Sequence, residues 1–387
     1  MLKCTSVFTN EIDNPEIALN EIKTQLAQKI TLLDNTAGII MCNPEFTNSK
    51  VLRHICENLP FDIAGITTAS QAVNDEAGDM ILTIFVMTSD DILFKPGITD
   101  SIEDDLYDKV KISYDKTAAG ETEPLKLVLL FPPYIIDRFS GDAYIRVWKK
   151  IAPGTPIFGT LAADDTLEFD GCETIYNGVN TKDAMPFILC YGNINPRFLI
   201  ATLPDNANLP MSGTVTKSKD NFVYEVNGID ARTFFTGAGI SDNAPVFPLM
   251  INPTGNENDG AIHVVRELFA YGDDGAAIFG GDLEEGSSIH FLNFDSDSIK
   301  LTLQDEIERL NTLSDINGVL LFTCASRRMV LLGINEDYAE LQIAKDTIKQ
   351  GVPFMMGYSG GEVCPVISND GILHNRFHNY SVVILVI

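Results

Sequence analysis

The chain has 387 residues, of which 45% are hydrophobic and 21% charged, a globular composition that excludes a disordered or collagen-like polymer. Its 54 acidic side chains against 27 basic ones give a formal charge of -27, which argues against nucleic-acid partners and anionic membrane surfaces. The seven cysteines form no C-x-x-C pair and mostly sit in apolar runs, as reduced, buried thiols do. With no visible leader and no apolar run near ~18 residues, the expectation is a soluble, cytoplasmic chain that does not enter a membrane.

In chain order, a helix is expected over 15–33. A pattern then occurs three times: an apolar run, an amphipathic stretch, and a second apolar run that starts near proline and breaks at glycine. The first copy runs from Ala37–Cys42 through Lys50–Leu59 to Pro60–Thr68. The second runs from Leu127–Phe131 through Ala143–Ile151 to Pro156–Ala163. The third runs from Gly318–Cys324 through Tyr338–Ile348 to Pro353–Gly361. Unbroken apolar runs suit strands covered on both faces, and Val51, Leu52, Ile55 and Leu59 recur at helical spacing. A helix between two strands places them parallel, with a right-handed crossover.

Between the second and third copies the pattern changes. Asn221–Gly228 alternates apolar and polar residues and stops at Asn-Gly, a hairpin signal. Gly272-Asp-Asp-Gly275 joins 263–271 to 276–280 as a hairpin would. Further strands are expected over Ser287–Asn293 and Tyr380–Ile387, and a helix over Thr302–Leu313. The polar, turn-rich stretch from Pro204 to Lys217-Ser-Lys-Asp220 suggests a boundary. The whole reads as mixed α/β, its sheets built from repeated strand-helix-strand units, in two related or adjoining domains over 1–210 and 211–387.

Several signatures are missing. No P-loop, G-x-G-x-x-G or H-E-x-x-H occurs, and no motif calls for a cofactor. Asp295-Ser-Asp297 begins like a calcium loop but has Lys300 where glycine is required. His374 and His378 are four apart, but the following Tyr380-Ser-Val-Val favours a strand, so structural histidines are expected. Gly357-Tyr358-Ser359-Gly360-Gly361 fits G-x-S-x-G, yet proline and β-branched residues follow where a nucleophile elbow needs a helix. A turn bringing backbone amides close to a ligand fits better.

Phe322-Thr-Cys324-Ala-Ser-Arg327-Arg328 is the sharpest local feature. Ligands of α/β sheets bind at the carboxyl ends of parallel strands, which would put both arginines at that mouth. A guanidinium there can take a carboxylate in bidentate fashion and lower the thiol pKa of Cys324.

Cys324-Ala-Ser-Arg327 with Gly333 and Glu340, Pro353-Phe-x-x-Gly357-Tyr-Ser-Gly-Gly361-Glu362 with Pro365, and Leu373-His-Asn375 together resemble the FIST family. Val223-Tyr-Glu-Val-Asn-Gly228 looks like the start of that family's C-terminal domain. Gly65-Ile-Thr-Thr-Ala69 and Gly159–Asp164 are similar to its small-residue turns, although Thr68-Ala-Ser-Gln71 stands where the family often has Ala-Gly-Glu. The resemblance implies an intracellular sensory protein for signal transduction, with FIST N-terminal-like and C-terminal-like domains. Its ligand would be small, an amino acid or other carboxylate. No kinase or cyclase segment follows, so a separate signalling protein is the expected partner.

The expected ligand site comprises Cys324, Arg327, Arg328, Tyr358, Gly360, Gly361, Glu362, His374 and Asn375. Arg327, or failing it Arg328, would hold a carboxylate. Glu362 and the Asn375 side-chain oxygen would accept from an amine or hydroxyl, the Gly360 and Gly361 amides would form a wall, and Tyr358 and His374 would supply polar edges. The alternative is an acyl-transfer or hydrolase enzyme with Cys324 as nucleophile, His374 as base and Glu362 as orienter.

Overall fold

The computed structural model describes residues 1–166, 169–202, 207–243, 247–252, 264–293 and 295–387. His263 and Pro204–Asn206, which belong to stretches singled out above, lie outside them.

The three repeats form as expected, each around a parallel strand pair. Asn35–Cys42 pairs with Asp62–Thr67, Leu125–Leu130 with Ile157–Thr160, and Val319–Cys324 with Phe354–Ser359. The crossovers contain Lys50–Asn58, Gly141–Ile151 and Ala339–Thr347. In each pair a glycine of the second strand sits at the same register: Gly65 beside Ile40, Gly159 beside Leu130, Gly357 beside Phe322. A methyl group at Gly65 would collide with the Ile40 carbonyl, and one at Gly159 with the Leu130 carbonyl. The glycines therefore permit the close strand approach.

Each pair is extended into a six-stranded sheet by the same plan. In the first sheet the order is Lys3–Thr9, Leu82–Ser89, Asn35–Cys42, Asp62–Thr67. In the second it is Ile92–Ile98, Pro186–Gly192, Leu125–Leu130, Ile157–Thr160. In the third it is Arg197–Ala201, Val382–Val386, Val319–Cys324, Phe354–Ser359.

The last two strands of every sheet are a hairpin supplied by another unit. The first sheet receives Thr174–Tyr176 and Val179–Thr181 from the second unit. The second receives Glu362–Ile367 and Leu373–His378 from the third. The third receives Gln71–Val73 and Ala77–Gly78 from the first. The exchange is cyclic, and the second and third sheets each join strands from both sides of residue 210.

Packing follows from this threefold plan. The inner faces share one core, with Met41 and Phe85 from the first sheet, Leu129 and Phe158 from the second, and Phe322 and Leu385 from the third. Helices cover the outer faces through three separate apolar clusters, exemplified by Ile22 with Ile55, Trp148 with Phe187, and Leu303 with Leu341. Burying an apolar side chain of this size contributes about 1.5–3 kcal/mol, so strands apolar on both faces are what three enclosed sheets require. Asp295 caps the helix Ser296–Asn311 by accepting from the Ser298 amide, which is the physical role of the calcium-like Asp295-Ser-Asp297.

Seven strands between Asn208 and Leu292 form an antiparallel sheet inserted between the first strand of the third sheet and that helix. Its first strand, Asn208–Lys219, pairs with both Ser288–Leu292 and Phe222–Val226, closing a barrel. The expected hairpins are present. Asn227 and Gly228 both have positive φ at the first turn, the backbone that an Asn-Gly hairpin turn uses. Phe235, Leu249, Phe279 and Phe291 fill the interior. The barrel is anchored to the threefold body by the buried pair Arg266–Asp142 at 2.7 Å, and Arg266 Nη1 also donates to the Phe377 carbonyl at 2.7 Å. Among the described residues no helix is long and apolar enough to cross a membrane.

Candidate functional site

A cavity of about 540 Å³ lies where the barrel meets the carboxyl ends of the third unit's parallel strands. Its floor is Cys324, Ser326, Ser359 and Gly360. Tyr134 and Phe169 of the second unit form one wall, and Phe222, Glu267 and Phe269 of the barrel form the other. The size is that of a small-molecule site, apolar with a few convergent polar groups.

The floor is built by an abrupt change of backbone. Val319–Cys324 ends at the thiol, and the helix Ala325–Leu332 starts at once with Cys324 as N-cap. The sequence reading had no helix here. Because the helix turns about 100° per residue, successive side chains separate: Ser326 reaches the cavity while Arg327 points into the protein. Ser326 Oγ–H donates to Glu267, with oxygens at 2.7 and 2.6 Å, and Tyr380 also bonds that carboxyl. Glu267 is 4% exposed. Burial pushes its pKa up to about 7, against the smaller lowering effects of Ser326 and Tyr380.

A second carboxyl lies behind the floor. Ser359 Oγ is 3.3 Å from Glu362 Oε1 and 3.3 Å from the Thr323 carbonyl oxygen. Glu362 is fully buried, and its Oε2 has no hydrogen-bond partner among the described residues. Burial holds its carboxyl well above the usual range, partly offset by Ser359 and the Arg327 charge.

Gly360 matters for shape. A Cβ there would meet the Ala162 carbonyl oxygen and the Tyr134 ring, each at 2.6 Å. Tyr134 in turn stacks on Phe169, with centroids 4.9 Å apart. The amide of Gly360 is already committed to the Leu161 carbonyl at 3.1 Å, so it is not a free wall donor. Gly361, at φ 130, lies against Phe377, where a Cβ would strike the ring.

The other expected site residues do not face this cavity. Arg327 is fully buried and donates to Glu340 through Nε at 2.9 Å and Nη2 at 2.8 Å. It also donates to the carbonyls of Tyr380 and Ile299, each at 3.0 Å. The guanidinium expected to receive a ligand carboxylate is thus saturated by the protein itself, and its carboxylate partner is Glu340 rather than Glu362. Arg328 reaches outward to Asp79 at 3.3 Å and Asp337 at 3.5 Å.

Tyr358 is buried in the third unit's outer apolar cluster. His374 lies on the hairpin lent to the second sheet, with Nε2 3.2 Å from Ser368 Oγ. Asn375 bridges the start of a neighbouring strand, accepting from the Ile157 amide and donating to the Thr155 carbonyl, each at 2.9 Å. His378, in the same strand Leu373–His378, has its pKa lowered to about 4 by burial.

The expected activation of Cys324 is also reversed. Burial first, then the nearby Glu362 and Glu267 carboxyls, raise its pKa well above the ordinary value. A nucleophilic cysteine needs thiolate and a base within reach. This thiol faces acids, and His374 is engaged elsewhere.

The structure therefore brings together Cys324, Gly360 and, behind Ser359, Glu362. Sequence reasoning missed Glu267, Ser326, Tyr134 and Phe169. Ser326 was legible in the Cys-Ala-Ser-Arg stretch as a polar residue at a strand end. Glu267 lies mid-strand, where local pattern carries no signal of a partner 59 residues away.

Comparison with known proteins gives the family. No curated protein sequence matches the chain. Among solved structures it is similar to a cyanuric acid hydrolase from A. caulinodans, at 8% identity and TM-score 0.33, covering 100% of this chain and 99% of that one. Residues 36–229 match the FIST N domain and residues 232–365 the FIST C domain. FIST domains are sensory domains of signalling systems, associated with small-ligand binding. With nearly the whole length matched, the chain belongs to the FIST family.

Proposed function

We propose that this protein is a sensory receptor that takes a small molecule into the cavity between the barrel and the third unit, for relay to a separate signalling protein. The observation that carries the reading is the cavity's position. It combines the carboxyl ends of parallel strands, where α/β ligands bind, with a wall from an inserted barrel. A ligand held there touches three bodies at once: Tyr134 of the second unit, Ser326 of the third and Phe269 of the barrel. Occupancy changes how the barrel rests on the body, which is a differential contact of the kind a sensor needs.

An amino acid or other carboxylate as ligand would not be received by Arg327, which Glu340 holds. Of the two ends of an amino acid, the cavity offers a partner to the amine through Glu267. The test is a thermal-shift and calorimetric screen of small metabolites against the wild-type chain and Ala270→Trp, which fills the cavity from the barrel side. Hits are expected to be lost in the variant. Hits that bind both equally would remove this cavity from the reading.

A further inference from the structure

We infer that the ligand of this cavity is an organic cation: a protonated amine carried on an aromatic or aliphatic body, held by Glu267 and the aromatic walls. The inference rests on the receptor reading above and specifies its ligand class.

The charge balance of the cavity points one way. Among the described residues its charged lining is Glu267 and, at the exposed rim, Asp137, with no lysine or arginine. The two arginines of the adjoining helix are turned away onto Glu340 and onto Asp79 with Asp337. The start of that helix is a place where an anion would otherwise be favoured. Here the protein's own Glu267 occupies it, bonded to Ser326 in the first turn. An anionic ligand would enter beside a carboxyl with no compensating cation, which is the costly arrangement for a buried charge.

The walls fit the same ligand. Tyr134 stacked on Phe169, with Phe222 and Phe269 opposite, offers aromatic faces whose negative potential attracts a cation and whose area takes an apolar body.

Protonation ties recognition to pH. The groups around Glu267 are Ser326, Tyr380, Tyr134, Cys324 and Glu362, none a cation at neutral pH. Empty, the site keeps a proton on Glu267 to about pH 7. An arriving ammonium favours the carboxylate and expels that proton. Cation affinity therefore rises with pH through about 6–8, while a neutral ligand of the same shape shows no such rise.

The experiment uses four probes on one phenylethyl scaffold: phenethylamine, 2-phenylethanol, L-phenylalanine and 3-phenylpropionate. Calorimetry on the full chain at pH 6 and pH 8 is expected to rank phenethylamine first, at least tenfold above 3-phenylpropionate. Its affinity should increase at pH 8, with proton release seen as buffer-dependent heat. Glu267→Gln, which keeps an acceptor for Ser326, should erase the preference for the amine over the alcohol and the rise of amine affinity with pH. If that variant does not fold, the pH dependence of the matched probes on the wild type decides the matter. Equal or tighter binding of the carboxylate or the amino acid, abolished by Ala270→Trp, overturns the cation inference and leaves the receptor reading standing. Failure of all four probes overturns the cation inference, and binding that survives Ala270→Trp overturns both.

Discussion

Replacing Arg327 with alanine removes the cation from a fully buried pair. Glu340, also fully buried, would keep the Thr323 hydroxyl, at 3.2 Å, and the neighbouring Tyr358, but no cation. The carbonyls of Tyr380 and Ile299 would each lose the guanidinium as a donor. Breaking a buried pair from one side typically costs about 3–5 kcal/mol, against a total stability of roughly 5–15 kcal/mol for a folded domain. Urea denaturation of Arg327→Ala should therefore show a large fall in midpoint. Arg327→Met combined with Glu340→Leu removes both charges and leaves packed apolar volume, so it should recover most of the loss. Arg328→Ala breaks only longer, partly exposed contacts and should cost no more than about 1 kcal/mol. The structural role is refuted if Arg327→Ala costs under about 1 kcal/mol, or if the double variant is as unstable as the two single losses added. Retention of ligand binding by the double variant would separate this role from direct recognition.

The contribution of Glu267 to stability should fall as pH rises from about 4.5 to 7, because native Glu267 holds its proton to about pH 7 while the unfolded carboxyl releases it near 4.5. That loss is on the order of 3 kcal/mol at about 1.4 per pKa unit, and His378, lowered from 6.5 to about 4 by burial, contributes the opposite slope; the Glu267 part is therefore read as the difference between the denaturation-versus-pH curves of the wild type and Glu267→Gln, and identical slopes would contradict it. Native thiol labelling at pH 7.5 should be slow at Cys324, whose thiol is buried beside acids, and rapid only after unfolding; fast selective alkylation of Cys324 would instead reopen the nucleophile alternative. Gly159→Ala should cost about 1–3 kcal/mol or more by forcing a methyl onto the Leu130 carbonyl, read as a lowered Tm, and a neutral effect would mean that the strands can separate at that register.

The three units were legible because each is local. An apolar run, a helix-period stretch and a proline-led run ending in glycine lie within some thirty to fifty residues, and periodicity acts at that range. The hairpin loans were not legible. Gln71–Val73 is three residues long and pairs with Met355–Gly357, and nothing local marks a partner that far along the chain. Arg327 shows the same limit at the site. Its position after a strand end was read correctly, but the intervening helix turned its side chain to Glu340, a residue already prominent in the family resemblance. Ser326, its neighbour, inherited the cavity. The acid Glu267 came from the inserted barrel, whose docking depends on tertiary contacts such as Arg266 with Asp142.

The cyclic loan of hairpins also constrains how the chain can come into being. Asn74, in the turn of the first unit's hairpin, accepts from the Phe354 amide across 280 residues, so the third sheet stays unfinished until the segment around Phe354 has been made. Until then the edges awaiting those hairpins are open to any passing strand, and closing such long loops is slow. A nascent chain of this design depends on shelter during synthesis far more than the stability of its finished form would suggest.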